Sequence, residues 1–228
     1  MGVTKRIVCL ANSRKLQGRC VAGKELINGR PGAWIRPVSS RPKEEVSQSE
    51  RCYAGGGDPL VLDIIDVPLL QPCPRYYQQE NWLLDPTQRW VKVERFPAAR
   101  LAELADPPAP LWIDGYSSSR GQNDRVPLED ANTQTNSLKL VHATDFEFTS
   151  HHWDNSLRIR GCFTLGRVRY SLRVTDPVIE DLARQDIRRL TGRKACYLTI
   201  SLGEPLRDNN DPNKVYAYKL IAAVIGWT

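Results

Sequence analysis

The segment RVRYSLRVTDPVIEDLARQDIRRLTGRKACYLTISL, residues 167–202, carries the most informative pattern in the chain. Apolar and polar residues alternate over 167–174, which is the period of a strand with one buried face. Asp176 followed by Pro177 is a typical helix start, because an aspartate caps the first amide groups and proline needs no partner there. Apolar residues then recur at helical spacing until Gly192, and a second strand pattern follows. The segment therefore predicts strand, helix, strand.

Further strand patterns surround this segment, at 137–143, 146–150, 157–165 and 215–225. Three or four strands, a helix and two strands is the order of an OB-type barrel, a small Greek-key barrel that often binds oligonucleotides. The first half of the chain has a similar pattern with weaker markers. We predict a mostly β protein of β-barrel class with some α+β character. It consists of two tandem OB-like barrels, the second with a helix between its third and fourth main strands.

A polar stretch separates the two halves. Residues 115–136 are rich in Ser, Asn, Asp and Gln, which is typical of an exposed connection. A chain of 228 residues also accommodates two domains of about 110 residues each. We therefore predict an N-terminal OB-like domain over 1–114, a loop or linker over 115–136, and a C-terminal OB-like domain over 137–228.

Positive charge is concentrated in two stretches of a chain whose formal net charge is +6. Residues 1–43 hold ten Lys or Arg against one acid, and residues 157–173 hold five Arg and no acid. Such a field favours a polyanionic partner, usually nucleic acid, through neutralisation of phosphates and release of counterions. For either cluster alone, a solvated surface is the alternative.

The N-terminal cluster contains an aromatic residue. Trp34 and Arg36 lie two positions apart, so on a regular strand they share a face. An aromatic ring beside an arginine stacks a base and holds a phosphate. The alternative is a core tryptophan with an arginine at its rim. The candidate ligand-binding residues of this half are Ser13, Arg14, Lys15, Arg19, Lys24, Trp34 and Arg36.

The second cluster predicts a two-stranded ribbon with an arginine face and an apolar face. Arginine suits this role because its planar donors match phosphates and base edges. A merely solvated edge more often mixes the two signs of charge. The candidate binding residues of this ribbon are Arg158, Arg160, Arg167, Arg169 and Arg173.

An ordered set of segments across nearly the whole chain resembles bacterial proteins described as dual OB-containing domain proteins. These segments are KRIVCLANSRK, GRCVAGKE, WIRPVS, DPLVLDIIDVPL, ENWLLDP, NDRV, YSLRVTDP, SLGEP and YKLIAAVI. The resemblance implies two OB folds in tandem. It also implies a link to prokaryotic conflict systems and a role in recognising nucleic acid or nucleotides.

Signals of catalysis are sparse. The phosphate-binding loop, the zinc-protease motif and the hydrolase nucleophile motif do not occur in the sequence. Cys20 with Glu25 is the one candidate catalytic pair, because the surrounding cations would stabilise a thiolate nucleophile. A buried structural cysteine is the alternative. The six cysteines are scattered, and His151 and His152 would point to opposite faces of a strand, so we predict no metal and no cofactor.

The sequence leaves three functions open. The first is a module that recognises nucleic acid, DNA or RNA, or a nucleotide-like ligand, and senses modified or foreign nucleic acid for a bacterial defence system. The second is an enzyme that acts on a modified base through a site around Cys20. The third is a small-ligand sensor without a polymer partner. No apolar run approaches the roughly 20 residues of a membrane span. We expect a cytoplasmic protein without a membrane partner, associated with other defence or DNA-modification proteins.

Overall fold

The structure is a computed structural model that describes residues 2–107, 110–153, 156–208 and 211–227. The chain forms two units, Met1–Leu104 and Ala105–Thr228. This division differs from the boundaries expected at 114 and 136, since residues 105–136 group with the second unit. Within the described ranges, no helix is both long and apolar enough to cross a membrane.

The first unit is built mainly of strands. In chain order its elements are β1 (Val3–Lys15), β2 (Gly18–Ile27), β3 (Arg30–Val38), α1 (Gln48–Arg51), β4 (Asp63–Pro72), β5 (Asn81–Leu84), β6 (Val91–Arg95) and a 3-10 helix (Ala98–Leu104). Strand β1 takes in the polar residues up to Lys15.

In this unit the described strands close into a five-stranded ring. The order is β1-β2-β3-β5-β4, and a pairing between β1 and β4 closes it, while β6 adds to the outer edge of β4. The β3–β5 pair is parallel and the other pairs in the ring are antiparallel. This is the strand arrangement of an OB barrel. The interior is filled by buried side chains that include Ile7, Cys9, Val21, Ile35, Val46, Ile65 and Trp90.

The second unit contains the remaining elements. They are β7 (Arg125–Pro127), α2 (Leu128–Ala131), β8 (Leu138–Trp153), β9 (Ser156–Leu165), β10 (Val168–Val174), α3 (Pro177–Gln185), a 3-10 helix (Ile187–Leu190), β11 (Lys194–Arg207) and β12 (Val215–Ile225). The stretch predicted as a linker thus contains a strand and a short helix.

The second unit repeats the topology of the first. Within the described residues the ring is β10-β9-β8-β11-β12, and a parallel β10–β12 pair closes it. Helix α3 lies between β10 and β11, which are the third and fourth strands of this ring in chain order, as predicted. Asp176 caps it by accepting from the Val178 amide at 3.0 Å, and its other oxygen accepts from the Val224 amide of β12 at 3.0 Å. The prediction of two OB-like barrels is confirmed.

Strand β7 extends this second sheet. It pairs antiparallel with β12, with Val126 opposite Ala217. Val126 and Ala217 are both fully buried, so residues 115–136, although mostly polar, include a short apolar contact with the barrel. The backbone ladder and this buried contact attach the segment to the barrel.

The barrel of the first unit requires a glycine at position 23. Gly23 pairs with Cys9, and a Cβ atom added to it would lie 2.1 Å from the carbonyl oxygen of Val8. Because that obstacle is backbone, we expect Gly23→Ala to lower the free energy of unfolding by about 1–3 kcal/mol. Urea denaturation measures the change. Gly55→Ala is the control, since a Cβ atom there meets nothing within 4 Å. Equal stability of the two variants would contradict the prediction.

Candidate functional site

Three of the predicted basic residues meet at the end of the β1–β2 hairpin. Arg14 lies opposite Arg19, and Lys15 lies opposite Gly18. Ser13 lies opposite Cys20, and its hydroxyl donates to the Cys20 carbonyl at 3.3 Å. Ser13 is buried and Arg14 is exposed. The structure therefore brings Arg14, Lys15 and Arg19 together at one hairpin tip.

Trp34 lies elsewhere on the same sheet. It pairs with Lys24, whose ammonium is 5.5 Å from the centre of the indole ring. Trp34 is half-buried. Since Lys24 is five residues from Arg19 along β2, the Cα atoms of these two residues are roughly 16 Å apart. Trp34 thus lies beside Lys24, and its union with the tip arginines in a single site stays a prediction.

Arg36 is part of the protein interior. Its guanidinium is 3.0 Å from the Glu80 carboxylate, and the side chains are 4% and 5% exposed. A buried pair of this kind is held by mutual attraction, and removal of either partner would leave a charge stranded away from water. This placement gives Arg36 a structural contact in place of the predicted position beside an exposed Trp34.

Cys20 and Glu25 are not brought together. They are five residues apart on the extended strand β2, which is roughly 16 Å. Glu25 is instead bonded to Lys5, with 2.8 Å between Nζ and Oε1. A general base must lie within about 3 Å of the proton that it removes. The predicted catalytic pair therefore does not form a nucleophile and base in this arrangement.

The arginine ribbon of the second unit is partly neutralised. Arg169 bonds Asp145 at 3.0 Å and Glu147 at 2.8 Å. Arg193 also bonds Glu147, and hydrogen bonds from Arg193 and then Arg169 hold the pKa of Glu147 below its usual value. These acids lie on β8, the strand that pairs with β9. The ribbon itself contains no acidic residue, but the neighbouring strand β8 supplies two. Arg167 lies exposed in the turn between β9 and β10.

Arg160 is held in a buried ion pair with Asp124. The guanidinium and carboxylate are 2.8 Å apart, and the two residues are 9% and 3% exposed. Arg160 also donates to the hydroxyl of Ser171 at 3.2 Å and to the Ser171 carbonyl. Arg160 is thus a fixed part of the wall rather than the exposed ribbon residue that the sequence predicted.

Asp124 also organises the segment 115–124, which we call the strap. Its carboxylate accepts from the amide and the hydroxyl of Ser118, at 2.7 and 2.6 Å. The backbone of Gln122 exchanges two hydrogen bonds with Ser171 on β10. A Cβ atom on Gly121 would lie 1.7 Å from the Asp124 carboxylate, so only glycine fits there. The strap is fastened to the barrel along its length.

Between the strap and the barrel lies a pocket of about 430 Å³, which we call the arginine pocket. Its lining comes from the strap, β7, β8, β9, β10, β12 and the residue after β11. Five arginines and one aspartate contribute the formal charges. The lining residues are Ser118, Ser119, Arg120, Arg125, His151, Arg158, Arg160, Arg173, Asp208 and Tyr218.

One wall of the arginine pocket is fixed by Arg125. Its guanidinium bonds the carboxylate of Asp208, and its central carbon lies 4.0 Å from the centre of the Tyr216 ring. The ion pair and the aromatic contact hold the planar group in one orientation. Arg125 therefore links strand β7 to the end of β11.

The pKa of His151, which lines the arginine pocket, is lowered by its surroundings. Burial lowers its pKa, and four nearby arginines lower it further, because a positive neighbour disfavours a second positive charge. In order of effect they are Arg160, Arg120, Arg158 and Arg173. The imidazole is therefore neutral near pH 7 and surrounded by cations. Such a site is suited to an anion.

The arginine pocket unites predicted and unpredicted residues. Arg158, Arg160 and Arg173 were predicted, whereas Arg120 and Arg125 lie in the stretch assigned to a linker. The NDRV segment at 123–126 was the sequence signal for this part of the site. It contains Asp124, which anchors the strap, and Arg125, which lines the pocket. Within the described ranges, no group of three or more His, Cys, Asp or Glu residues could hold a metal ion.

Removing the Asp124 carboxylate tests whether it is the buried contact that holds the strap to the barrel. Asp124→Ala would leave Arg160 buried without its carboxylate, so we expect the free energy of unfolding to fall by about 3–5 kcal/mol. The matched control is Asp181→Ala, which removes an exposed aspartate paired with Arg184 and should cost less than about 1 kcal/mol. Denaturant unfolding compares them. Similar losses in both variants would show that the Asp124 pair is not a buried anchor.

The pKa shift of His151 predicts a dependence of stability on pH. The folded pKa lies below the unfolded value of about 6.5. As the pH falls through that value, the unfolded chain takes up the proton more readily, so stability is lost. His151→Gln removes this loss, and the variant should gain stability relative to the wild type between pH 7.5 and pH 5. Melting temperatures at both pH values measure it. Parallel pH profiles would contradict the shift.

Comparison with known proteins agrees with the two barrels. A family model described as Dual OB-containing domain matches residues 5–224. Comparison with curated proteins gives no match. The matched range takes in the five-stranded rings of both units apart from the outermost residues. The chain therefore belongs to the dual OB-containing domain family.

Proposed function

We propose that this protein recognises nucleic acid or a nucleotide-like ligand, and that the arginine pocket binds the phosphate. OB folds commonly bind nucleic acid. The observation that carries the proposal is the convergence of five arginines on one pocket of about 430 Å³. Arginine is the side chain best suited to phosphate, because its planar donors form paired, charge-assisted hydrogen bonds.

The position of the arginine pocket on the fold supports this function. OB barrels bind oligonucleotides on the face of their second and third strands and between the loops at the end of that face. In the second unit these strands are β9 and β10, which contribute Arg158, Arg160 and Arg173. Asp208 belongs to the connection between the fourth and fifth strands. The arginines thus lie on the surface that the fold uses for such ligands.

The arginine pocket also offers an aromatic surface. Tyr218 lines it and is half-buried. A base stacked on an aromatic side chain contributes about 1–3 kcal/mol. Arginines for the phosphate and a tyrosine for the base are the two elements of sequence-tolerant nucleotide binding.

The volume limits what enters the arginine pocket. Sites for small molecules measure about 300–1,000 Å³, so this pocket admits a ligand of nucleotide size. A polymer would place one residue in it and run the rest over the surface. A small-ligand sensor remains the rival function, and salt dependence separates the two, because a polymer releases many more counterions.

The wider role is part of the same proposal. The family resemblance supports a sensor of modified or foreign nucleic acid in a bacterial defence system, acting with other defence or DNA-modification proteins. Enzymatic action on a base through Cys20 receives no support from its surroundings, since Glu25 lies roughly 16 Å along β2. Recognition is therefore the function that we carry forward.

Two arginines of the pocket wall test the proposal without disturbing the strap. Arg158 and Arg173 line the arginine pocket, whereas Arg160 is excluded because its buried pair with Asp124 stabilises the fold. Arg158→Gln with Arg173→Gln should weaken binding of a single-stranded oligonucleotide. It should also flatten the salt dependence of log K by up to about 0.7, since neutralising one phosphate of a single strand contributes roughly that amount. Fluorescence anisotropy over a salt series measures both quantities.

The control removes the same kind of charge from another surface. Arg188 is 86% exposed, bonds its neighbour Asp186 and is not a lining residue of the arginine pocket. Arg188→Gln should leave the affinity and the salt slope close to those of the wild type. If the double variant, folded as judged by its melting temperature, binds like Arg188→Gln, the arginine pocket is not the phosphate site.

A further inference from the structure

Resting on the function proposed above, we propose that the arginine pocket selects a terminal phosphate. This is the phosphate monoester at the end of a nucleotide or an oligonucleotide, as opposed to the phosphodiester within a chain. The two differ in charge, in the number of free oxygens and in how many covalent links must leave the site.

The arginines reach the pocket from several directions. Arg158 and Arg160 lie on β9 and Arg173 on β10, Arg120 comes from the strap, and Arg125 comes from β7. Arginines that follow a polymer backbone lie in a row along a groove. Here they approach one volume from four elements. A terminal phosphate fits such a convergent site, because one ester link leaves it and the other oxygens can face the arginines, whereas an internal phosphate has two links that must leave.

The lining of the arginine pocket is rich in positively charged side chains. The lining holds five arginines and one aspartate, and Asp124 bonds Arg160 from behind it, so five guanidinium groups stand against two carboxylates. A phosphodiester brings one negative charge and two free oxygens. A phosphate monoester brings about −1.5 to −2 charges near pH 7 and three acceptor oxygens. The monoester matches the donors and the charge of the arginine pocket more closely.

The strap and the wall that carries Arg125 are held in place. The strap is fixed by the Asp124 carboxylate, by the backbone pairing of Gln122 with Ser171, and by the close fit at Gly121. On the opposite side Arg125 is held by Asp208 and Tyr216. A site whose donors are held in place loses little freedom on binding, so it discriminates by the number of bonds that the ligand completes.

The experiment uses one single-stranded oligonucleotide in three forms, with hydroxyl groups at both ends, with a 5′-phosphate and with a 3′-phosphate. An internal fluorophore leaves both ends open for anisotropy measurements. We expect one phosphorylated form to bind at least about tenfold more tightly than the hydroxyl form, the factor that corresponds to one additional charged hydrogen bond. The end that gains affinity identifies the end that enters the arginine pocket.

Competition separates the two sources of a terminal phosphate. A nucleoside monophosphate should displace the phosphorylated oligonucleotide, and the corresponding nucleoside should not. If the monophosphate alone binds as tightly as the phosphorylated oligonucleotide, the ligand is a free nucleotide. If it binds more weakly, the ligand is a polymer end. Both results support selection of a terminal phosphate.

Failure of the terminal-phosphate proposal can be distinguished from failure of the proposed function. Equal and measurable binding of all three oligonucleotides overturns the selection of a terminal phosphate and leaves the proposed function standing. Absence of binding by every oligonucleotide and nucleotide overturns both. Arg158→Gln should reduce the preference for the phosphorylated form to less than about threefold, whereas Arg188→Gln should retain it. A preference unchanged in folded Arg158→Gln would place the terminal phosphate outside the arginine pocket.

Discussion

The buried ion pair of Asp124 and Arg160 is the contact on which the arginine pocket depends. One carboxylate bonds a guanidinium from β9 at 2.8 Å and the Ser118 amide of the strap at 2.7 Å. It therefore joins the barrel wall to the segment that faces it. Asp124 is also one residue from Arg125, which borders the other side of the pocket. Without this carboxylate the strap would lose its main side-chain anchor, and Arg160 would be a buried charge without a counterion.

A buried pair of this kind is not the most stabilising choice for such a position. Removing two charges from water costs several kcal/mol per ion, and apolar residues of similar size often stabilise a fold as well or better. What the Asp124–Arg160 pair supplies is geometry. It holds the strap at a fixed distance from β9 and keeps a positive group in the wall. Burial and the nearby arginines lower the pKa of His151, which lines the same pocket.

The sequence predicted the barrels better than it predicted the site. Alternating strands and the capped helix α3 are local patterns, and they identified the second OB barrel. Strand β7 is three residues long and pairs with β12 about ninety residues later, so no local period reveals it. The acids that neutralise Arg169 lie on β8, and Glu80 reaches Arg36 from outside β3. Those pairs follow from strand register and from loops, which a charge pattern along one strand does not contain.

The two units show why charge in a sequence is an incomplete guide to a site. The first 43 residues carry twice as many cations as the ribbon of the second unit. In the first unit, however, they disperse along the strands: Arg14 and Arg19 lie at a hairpin tip, Lys24 lies over Trp34, and Arg36 is buried with Glu80. The second unit adds β7 and the strap to the same barrel topology. These additions bring Arg120 and Arg125 into one pocket with the arginines of β9 and β10. The composition indicates only that the chain carries an excess of positive charge, whereas the additions to the barrel decide where arginines converge.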